Sequence, residues 1–396
     1  MSLPFYVTWT AQKNAVTLPL RDAEGSWLIL DDGTRVFDLV STSFQASFGY
    51  KNRRITEPMR RQLEGLSIAA PKAVFPMKVR ETERLLKQVG VPGRIFYTTS
   101  GAESVENALK IARQLTQRKI VLARKNSYHG ASLGALSVTG DWRNEPHFTV
   151  SDWTVRIPEP EEDPDLSRTL DLVKRTGRDK IAAVIVETIS GTNGVSVPPQ
   201  SWWDALQRMC REAGIYLICD EVLSGFGRTG KPFAFHHFGV KPDFVCMAKA
   251  ISGGYFPFGA VWTSDEIAGR YDERVFACGL TAYAHPVGIA AMSGALDILE
   301  DPAFWKHFRE AETVFWEGIH EIGALPQARF TRGKGMLASV YFKSGGLHAR
   351  TRELLRQGVQ IFAMEDRIVL GPPLTSSPDD LRAAMAKVRA WAARIP

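Results

Sequence analysis

Between residues 94 and 262, short apolar runs alternate with helix-patterned stretches, and this alternation restricts the fold more than any other feature. Strand-like runs are expected at 94–98, 119–123, 181–186, 215–219, 244–247 and 260–262. Between them, 103–114 places Val105, Ala108, Leu109 and Ala112 at helical spacing, and 202–213 reads as a further helix. Runs that are apolar throughout belong to strands covered on both faces. Separated by helices, they predict an α/β architecture with a mostly parallel, doubly wound sheet. Ligand crevices in such sheets lie beyond the carboxyl ends of the strands, so chemistry is expected just after these runs.

Outside this region, 27–30 and 35–39 flank the turn Asp31-Asp32-Gly33 as a hairpin, and a helix follows at about 55–66. From 286 the pattern turns helix-rich, with strands at 337–342 and 367–370 and a final helix from Pro378, which predicts a smaller α+β domain. The expected division is 1–65 as an N-terminal segment joining the small domain, 66–285 as the large domain and 286–396 as the small one. The 49 Lys and Arg are interleaved with 43 Asp and Glu, so there is no basic stripe of the kind nucleic acid requires. No apolar run is long enough to cross a bilayer, and residues 1–14 lack the pattern of a signal peptide. Cys210, Cys219, Cys246 and Cys278 form no CxxC pair. A cytoplasmic protein without membrane or nucleic-acid partners is expected.

Several strand exits carry reactive groups. The run 215–219 ends at Asp220-Glu221. A partly buried carboxylate there needs a cation or strong hydrogen bonds; a protonated pyridine nitrogen is one such partner, a structural arginine another. The run 244–247 leads to Lys249 and then Gly253-Gly254. A desolvated lysine becomes a usable amine nucleophile, although a lone lysine after a strand is usually a surface residue. After 94–98, the turn Ser100-Gly101-Ala102 opens a helix, whose free N–H groups suit a phosphate; Ser100 and Glu103 also fit a capping box. Tyr128, after 119–123, can stack on a planar ligand or fill core. Gly225–Lys231 resembles a phosphate-binding P-loop, but Pro232 replaces the metal-binding hydroxyl residue. His236 and His237 lack partners at metal-ligand spacing, and a solvated loop is expected there.

In this order, the stretches 100–108 (SGAESVENA), 128–130 (YHG), 220–230 (DEVLSGFGRTG), 248–254 (AKAISGG), 281–286 (TAYAHP) and 372–374 (PPL) resemble the class III, ω-amino acid type aminotransferases of fold type I. The resemblance covers nearly the whole chain. It implies pyridoxal 5'-phosphate as cofactor, Lys249 as its Schiff-base lysine and Asp220 as the partner of its ring nitrogen. It further implies phosphate binding by Gly101 and Ala102, ring contacts from Tyr128 and Val222, and Glu187 beside the cofactor. Thr281 would reach the cofactor phosphate of a neighbouring subunit, which implies a homodimer with shared active sites. The implied reaction moves an amino group from an ω-amino acid or primary amine to a 2-oxo acid such as pyruvate or 2-oxoglutarate.

Several positions depart from the pattern. Thr188 stands where relatives carry proline, and Thr192 where several carry an acidic gate residue. Val369 occupies the position of a carboxylate-binding arginine, so Arg367 is expected to substitute, or else to lie on a strand surface. Trp9 either lines the substrate entrance or packs the N-terminal segment. The stretch 187–195 also resembles glutamate-semialdehyde aminomutases, which keeps mutase, epimerase or decarboxylase chemistry on the same Lys249 and Asp220 as the alternative. A nucleotide-binding protein using the incomplete P-loop is the remaining one.

Overall fold

The computed structural model describes residues 3–147 and 151–396. Strands β1 (Leu20–Glu24), β2 (Trp27–Leu30) and β3 (Arg35–Asp38) form an antiparallel meander, with the expected hairpin between β2 and β3. The helix after it runs Arg53–Glu64, starting earlier than its apolar pattern because the Asn52 side chain accepts the Arg54 N–H.

The central sheet has seven strands: β4 (Gly93–Thr98), β5 (Ile120–Arg124), β6 (Thr154–Ile157), β7 (Ile181–Glu187), β8 (Tyr216–Asp220), β9 (Phe244–Met247) and β10 (Gly259–Ser264). Their order is β4-β10-β9-β8-β7-β5-β6. Strands β5 to β9 pair in parallel, while β10 runs antiparallel to both β4 and β9. Because side chains alternate along a strand, each strand feeds two cores. Val121, Ala123, Ala183, Ile185, Ile218, Phe244, Cys246 and Val261 pack with Val105, Leu109 and Ala112 of the helix Gly101–Thr116 on one face. Leu122, Val184, Val186, Leu217, Cys219, Val245 and Met247 pack on the other, with Trp202, Trp203 and Leu206 of the helix Gln200–Ala213. Every residue of β7 is buried, and each large aliphatic side chain so covered contributes about 1.5–3 kcal/mol. The doubly wound sheet is thus explained by runs that are apolar on both faces.

A third sheet, wholly antiparallel, is formed by β11 (Ala328–Gly333), β12 (Ala338–Phe342), β14 (Phe362–Ala363) and β15 (Arg367–Leu370), in the order β11-β12-β15-β14. The two-residue strand β13 (Val359–Gln360) pairs in parallel with β3, tying the N-terminal meander to the C-terminal region. The helix Pro286–Leu299 is buried around nearly its whole circumference, and the final helix spans Pro378–Ala392. Among the described residues, no helix is long and apolar enough to cross a membrane.

One local expectation is corrected. His236 and His237 are not a solvated loop but a half-buried 3-10 turn, each ring bonded to a carbonyl, of Val89 and Thr229. In the P-loop-like segment, Arg228 is fully buried and donates to the carbonyls of Met336 and Pro372 and to Ser41 and Ser47, fastening the central region to the flanking sheets.

Candidate active site

The carboxyl ends of β4, β5, β7, β8 and β9 open into a cleft of about 1200 Å³. Its lining includes Trp9, Gly101, Ala102, Tyr128, Glu187, Asp220, Val222 and Lys249. Eight of the expected site residues, drawn from distant parts of the chain, therefore converge there. Thr281 does not: it lies on an exposed turn outside the cleft. Arg367 is also outside. It pairs with Asp366 at 3.1 Å, stacks on Tyr341 at 5.1 Å and lines a separate cleft. The reason is register: on β15, Arg367 stands opposite Tyr341 of β12, and that ring takes up its side chain. The expectation that Arg367 holds a substrate carboxylate does not match this position.

Asp220 ends β8 and Glu221 follows, so the two carboxylates point to opposite sides. Asp220 faces the cleft. Its Oδ2 lies 2.7 Å from His129 Nδ1 and its Oδ1 accepts the Val222 N–H at 3.0 Å. Glu221 is buried in the interior, accepting from Ser224 and from the N–H groups of Ala234 and Phe235; burial pushes its carboxyl up nonetheless. Glu187 stands beside Asp220 across the β7–β8 pair. Its oxygens accept the N–H groups of Tyr128 at 3.2 Å and Gly191 at 2.9 Å, and buried Arg124 bridges it to Glu159 at 3.4 Å each.

Lys249 opens the turn after β9 in a left-handed conformation, φ 49°, at a strand end where strain commonly marks function. Burial lowers the pKa of its amine, against the pull of Asp220 and Glu187. Among the described residues it has no hydrogen-bond or ion-pair partner, so a largely buried amine is left ready to bond a ligand.

Beside the Lys249 turn, the helix Gly101–Thr116 begins, with Gly101 packed against Ala248. The Ser100 hydroxyl accepts the Glu103 N–H at 3.2 Å, and the Glu103 carboxylate reaches back to the Thr99 N–H at 2.7 Å. That capping arrangement leaves the N–H groups of Gly101 and Ala102 without intrahelical acceptors. A Cβ on Gly101 would stand 2.9 Å from Val222 Cγ1, so glycine is what lets the first turn lie against the turn that follows β8. Gly130 has φ 126° and would meet Ala102 at 2.8 Å, which holds the Tyr128–His129 loop close to that turn.

An unpaired amine, a carboxylate fixed by a buried imidazole, a free helix N-terminus and flanking Tyr128 and Val222 fit an aldehyde-bearing aromatic phosphate. They define a pyridoxal-phosphate enzyme of the doubly wound type. The sequence profile of the Aminotransferase class-III family matches residues 9–391, and the chain belongs to that family. It is 32% identical to the uncharacterized aminotransferase YhxA of Bacillus subtilis, over 84% of this chain and 79% of that protein. It is 29% identical to the omega-amino acid–pyruvate aminotransferase of Pseudomonas putida, over 95% of this chain and 92% of the relative. The structure of the taurine:2-oxoglutarate aminotransferase from Bifidobacterium kashiwanohense, solved with PLP and glutamate, superposes with a TM-score of 0.93 at 27% identity, over 98% of this chain and 94% of that one. The enzyme is a fold type I aminotransferase and its cofactor is pyridoxal 5'-phosphate.

Two residues of the cleft escaped sequence reasoning. His129 sits inside the YHG stretch but was assigned no role; a histidine beside an aromatic at a strand exit was the available signal. Arg143 lies in a loop without periodicity, and nothing in the sequence marked it.

Proposed function

We propose that this enzyme transfers an amino group from an ω-amino acid or primary amine to a 2-oxo acid such as pyruvate or 2-oxoglutarate. The observation that carries the reading is a partly buried Lys249, without a partner among the described residues, sharing one cleft with Asp220 and a free helix N-terminus. Two relatives point the same way, one named for ω-amino acids and pyruvate, the other for taurine and 2-oxoglutarate.

When bound, pyridoxal phosphate supplies a carbonyl to hold nitrogen and a ring that accepts the electron pair released at the substrate carbon. Lys249 is the residue that would hold the cofactor through its amine, and its lowered basicity would suit it to move a proton at the substrate carbon. Asp220 would hold a proton at the ring nitrogen, and His129, 2.7 Å from its Oδ2, keeps that carboxylate aimed. Gly101 and Ala102 would present N–H groups to the phosphate. Tyr128 and Val222 would flank the ring, and Glu187 positions the Tyr128 backbone by accepting its N–H.

The active unit in this reading is a cytoplasmic homodimer in which Thr281 of one subunit reaches the phosphate held by the other. Exposed apolar side chains at Leu63, Ile68, Val74, Val79 and Val275 support a second copy as their cover. Four unbridged cysteines suit a reducing compartment. The large unit is 66–285 and the smaller one 286–396 joined by 1–65, a division that the β3–β13 pairing supports.

A half-reaction screen tests this: amines are mixed with the loaded enzyme and loss of its visible absorption is followed. Stoichiometric carbonyl product from ω-amino acids or amines is expected. Rearranged, epimerised or decarboxylated amine without a new carbonyl compound would replace the reading with mutase, epimerase or decarboxylase chemistry.

A further inference from the structure

With Arg367 turned away, the acid group of an amino or oxo acid needs another cation. Among the described residues, Arg143 is the only arginine lining the cleft. Its guanidinium carbon lies 4.9 Å from the ring centre of Tyr128, 5.1 Å from that of Trp142 and 5.3 Å from that of Trp9. Trp9 and Trp142 meet edge to face at 5.9 Å, so three aromatic rings box the charge. Only 13% of the side chain is exposed. Aromatic faces attract the cation and strip its water, which strengthens whatever anion reaches it.

The box is built to hold the head in place. Nη1 pairs with Asp141, whose Oδ1 also accepts the Arg143 backbone N–H at 2.9 Å and whose Oδ2 accepts Asn193 Nδ2 at 3.2 Å. Asp141 therefore occupies one corner of the fork. Nη1 alone is engaged by Asp141; among the described residues Nη2 makes no hydrogen bond, so a donor nitrogen of the guanidinium remains for an anion.

We infer that Arg143 recognises the terminal anion, carboxylate or sulfonate, of the substrates. This rests on the transamination reading and assigns its substrate class: amino compounds whose amine takes the place of the Lys249 amine while an anionic end meets Arg143. Asp141 adds a second consequence. Because the arginine is already neutralised, a plain amine leaves no unpaired buried charge behind, and it is accepted with lower preference. An anion is rewarded, not required. Trp9, carried by the N-terminal segment, closes the box from outside and makes that segment part of substrate recognition.

The test compares wild type with Arg143→Gln and Arg143→Lys in the loaded enzyme. Half-reactions use an ω-amino carboxylate, the ω-amino sulfonate of equal chain length and an uncharged alkylamine. The ratio of anionic-donor KM to alkylamine KM rises about 10- to 100-fold in Arg143→Gln, the loss expected for a charge-assisted hydrogen bond. Arg143→Lys recovers part of it. The wild-type carboxylate-to-sulfonate ratio names the preferred anion, and loss of either preference supports the proposal. A second readout is independent of turnover. An unreactive short-chain carboxylate titrated into wild type changes the fluorescence of the flanking tryptophans, and the change is lost in Arg143→Gln. Equal effects on all three donors, or carboxylate binding that survives in Arg143→Gln, would overturn the inference. If Arg143→Gln loses its cofactor absorption, the Arg143→Lys comparison decides in its place. Failure of the wild type to bind cofactor or react with any amine would instead sink the transamination reading beneath it.

Discussion

Replacing His129 by Ala isolates what the imidazole does for Asp220. The ring nitrogen lies 2.7 Å from Asp220 Oδ2, and among the described residues the only other partner of that carboxylate is the Val222 N–H at 3.0 Å. Both side chains are buried, so water does not replace the lost partner freely. Removing a hydrogen bond to a buried charged group costs about 1.5–3 kcal/mol, and the vacated ring leaves a void that adds to it. Thermal stability reads this poorly: at about 2.1 cal/mol/K per residue, 3 kcal/mol lowers the Tm of a chain this long by only about 4 °C. Cofactor affinity reads it better, because Asp220 is then free to turn from the ring nitrogen. About 1.4 kcal/mol lost from that pairing weakens Kd tenfold. Absorbance titration of pyridoxal phosphate into apoprotein, with calorimetric melting beside it, measures both. A lower Tm with unchanged Kd would reduce His129 to a core residue and refute the argument.

Other substitutions probe separate parts of the account. Gly101→Ala brings a Cβ to within 2.9 Å of Val222 Cγ1. Overpacking of this kind costs about 1–3 kcal/mol, expected here as roughly tenfold weaker cofactor binding that Val222→Ala relieves; absorbance titration of the single and double variants checks it. Burial raises the Asp243 carboxyl to about 6 although it accepts the Leu217 N–H. A folded pKa above the unfolded one gives stability that is present at low pH and lost as pH rises through 6. Asp243→Asn should therefore melt above wild type at pH 8, by about 1–2 kcal/mol, and lose that advantage near pH 4; a constant difference would contradict the assignment. Lys249 carries the opposite sign: its lowered pKa penalises the charged folded form, and the penalty fades as pH rises toward the ordinary lysine range. Apoprotein Lys249→Met should gain stability at pH 7 and less at pH 10, as denaturant midpoints would show.

Much of this was written into the chain where burial constrains residue type. Runs such as 181–186 are apolar on both faces because both faces are covered, and that made the sheet and its reactive edge legible. Asp220, Lys249, Gly101 and Tyr128 followed as strand exits. Strand β6, Thr154–Ile157, escaped because an edge strand with Thr and Arg carries no apolar run. The antiparallel direction of β10 escaped because an apolar run has no polarity of its own. The two-residue β13 is below any periodicity. Arg367 and Arg143 exchanged places for the same reason: where a long cationic side chain ends depends on rings contributed from elsewhere, Tyr341 for one, Trp9, Tyr128 and Trp142 for the other.

The covalent attachment point is the most direct test of all. Purified enzyme reconstituted with pyridoxal phosphate is reduced with borohydride, digested and mapped by mass spectrometry. The pyridoxyl mass should sit on the peptide containing Lys249, with Lys249→Ala neither labelled nor coloured. Label on another lysine, or none on a protein that still transaminates, would contradict the account.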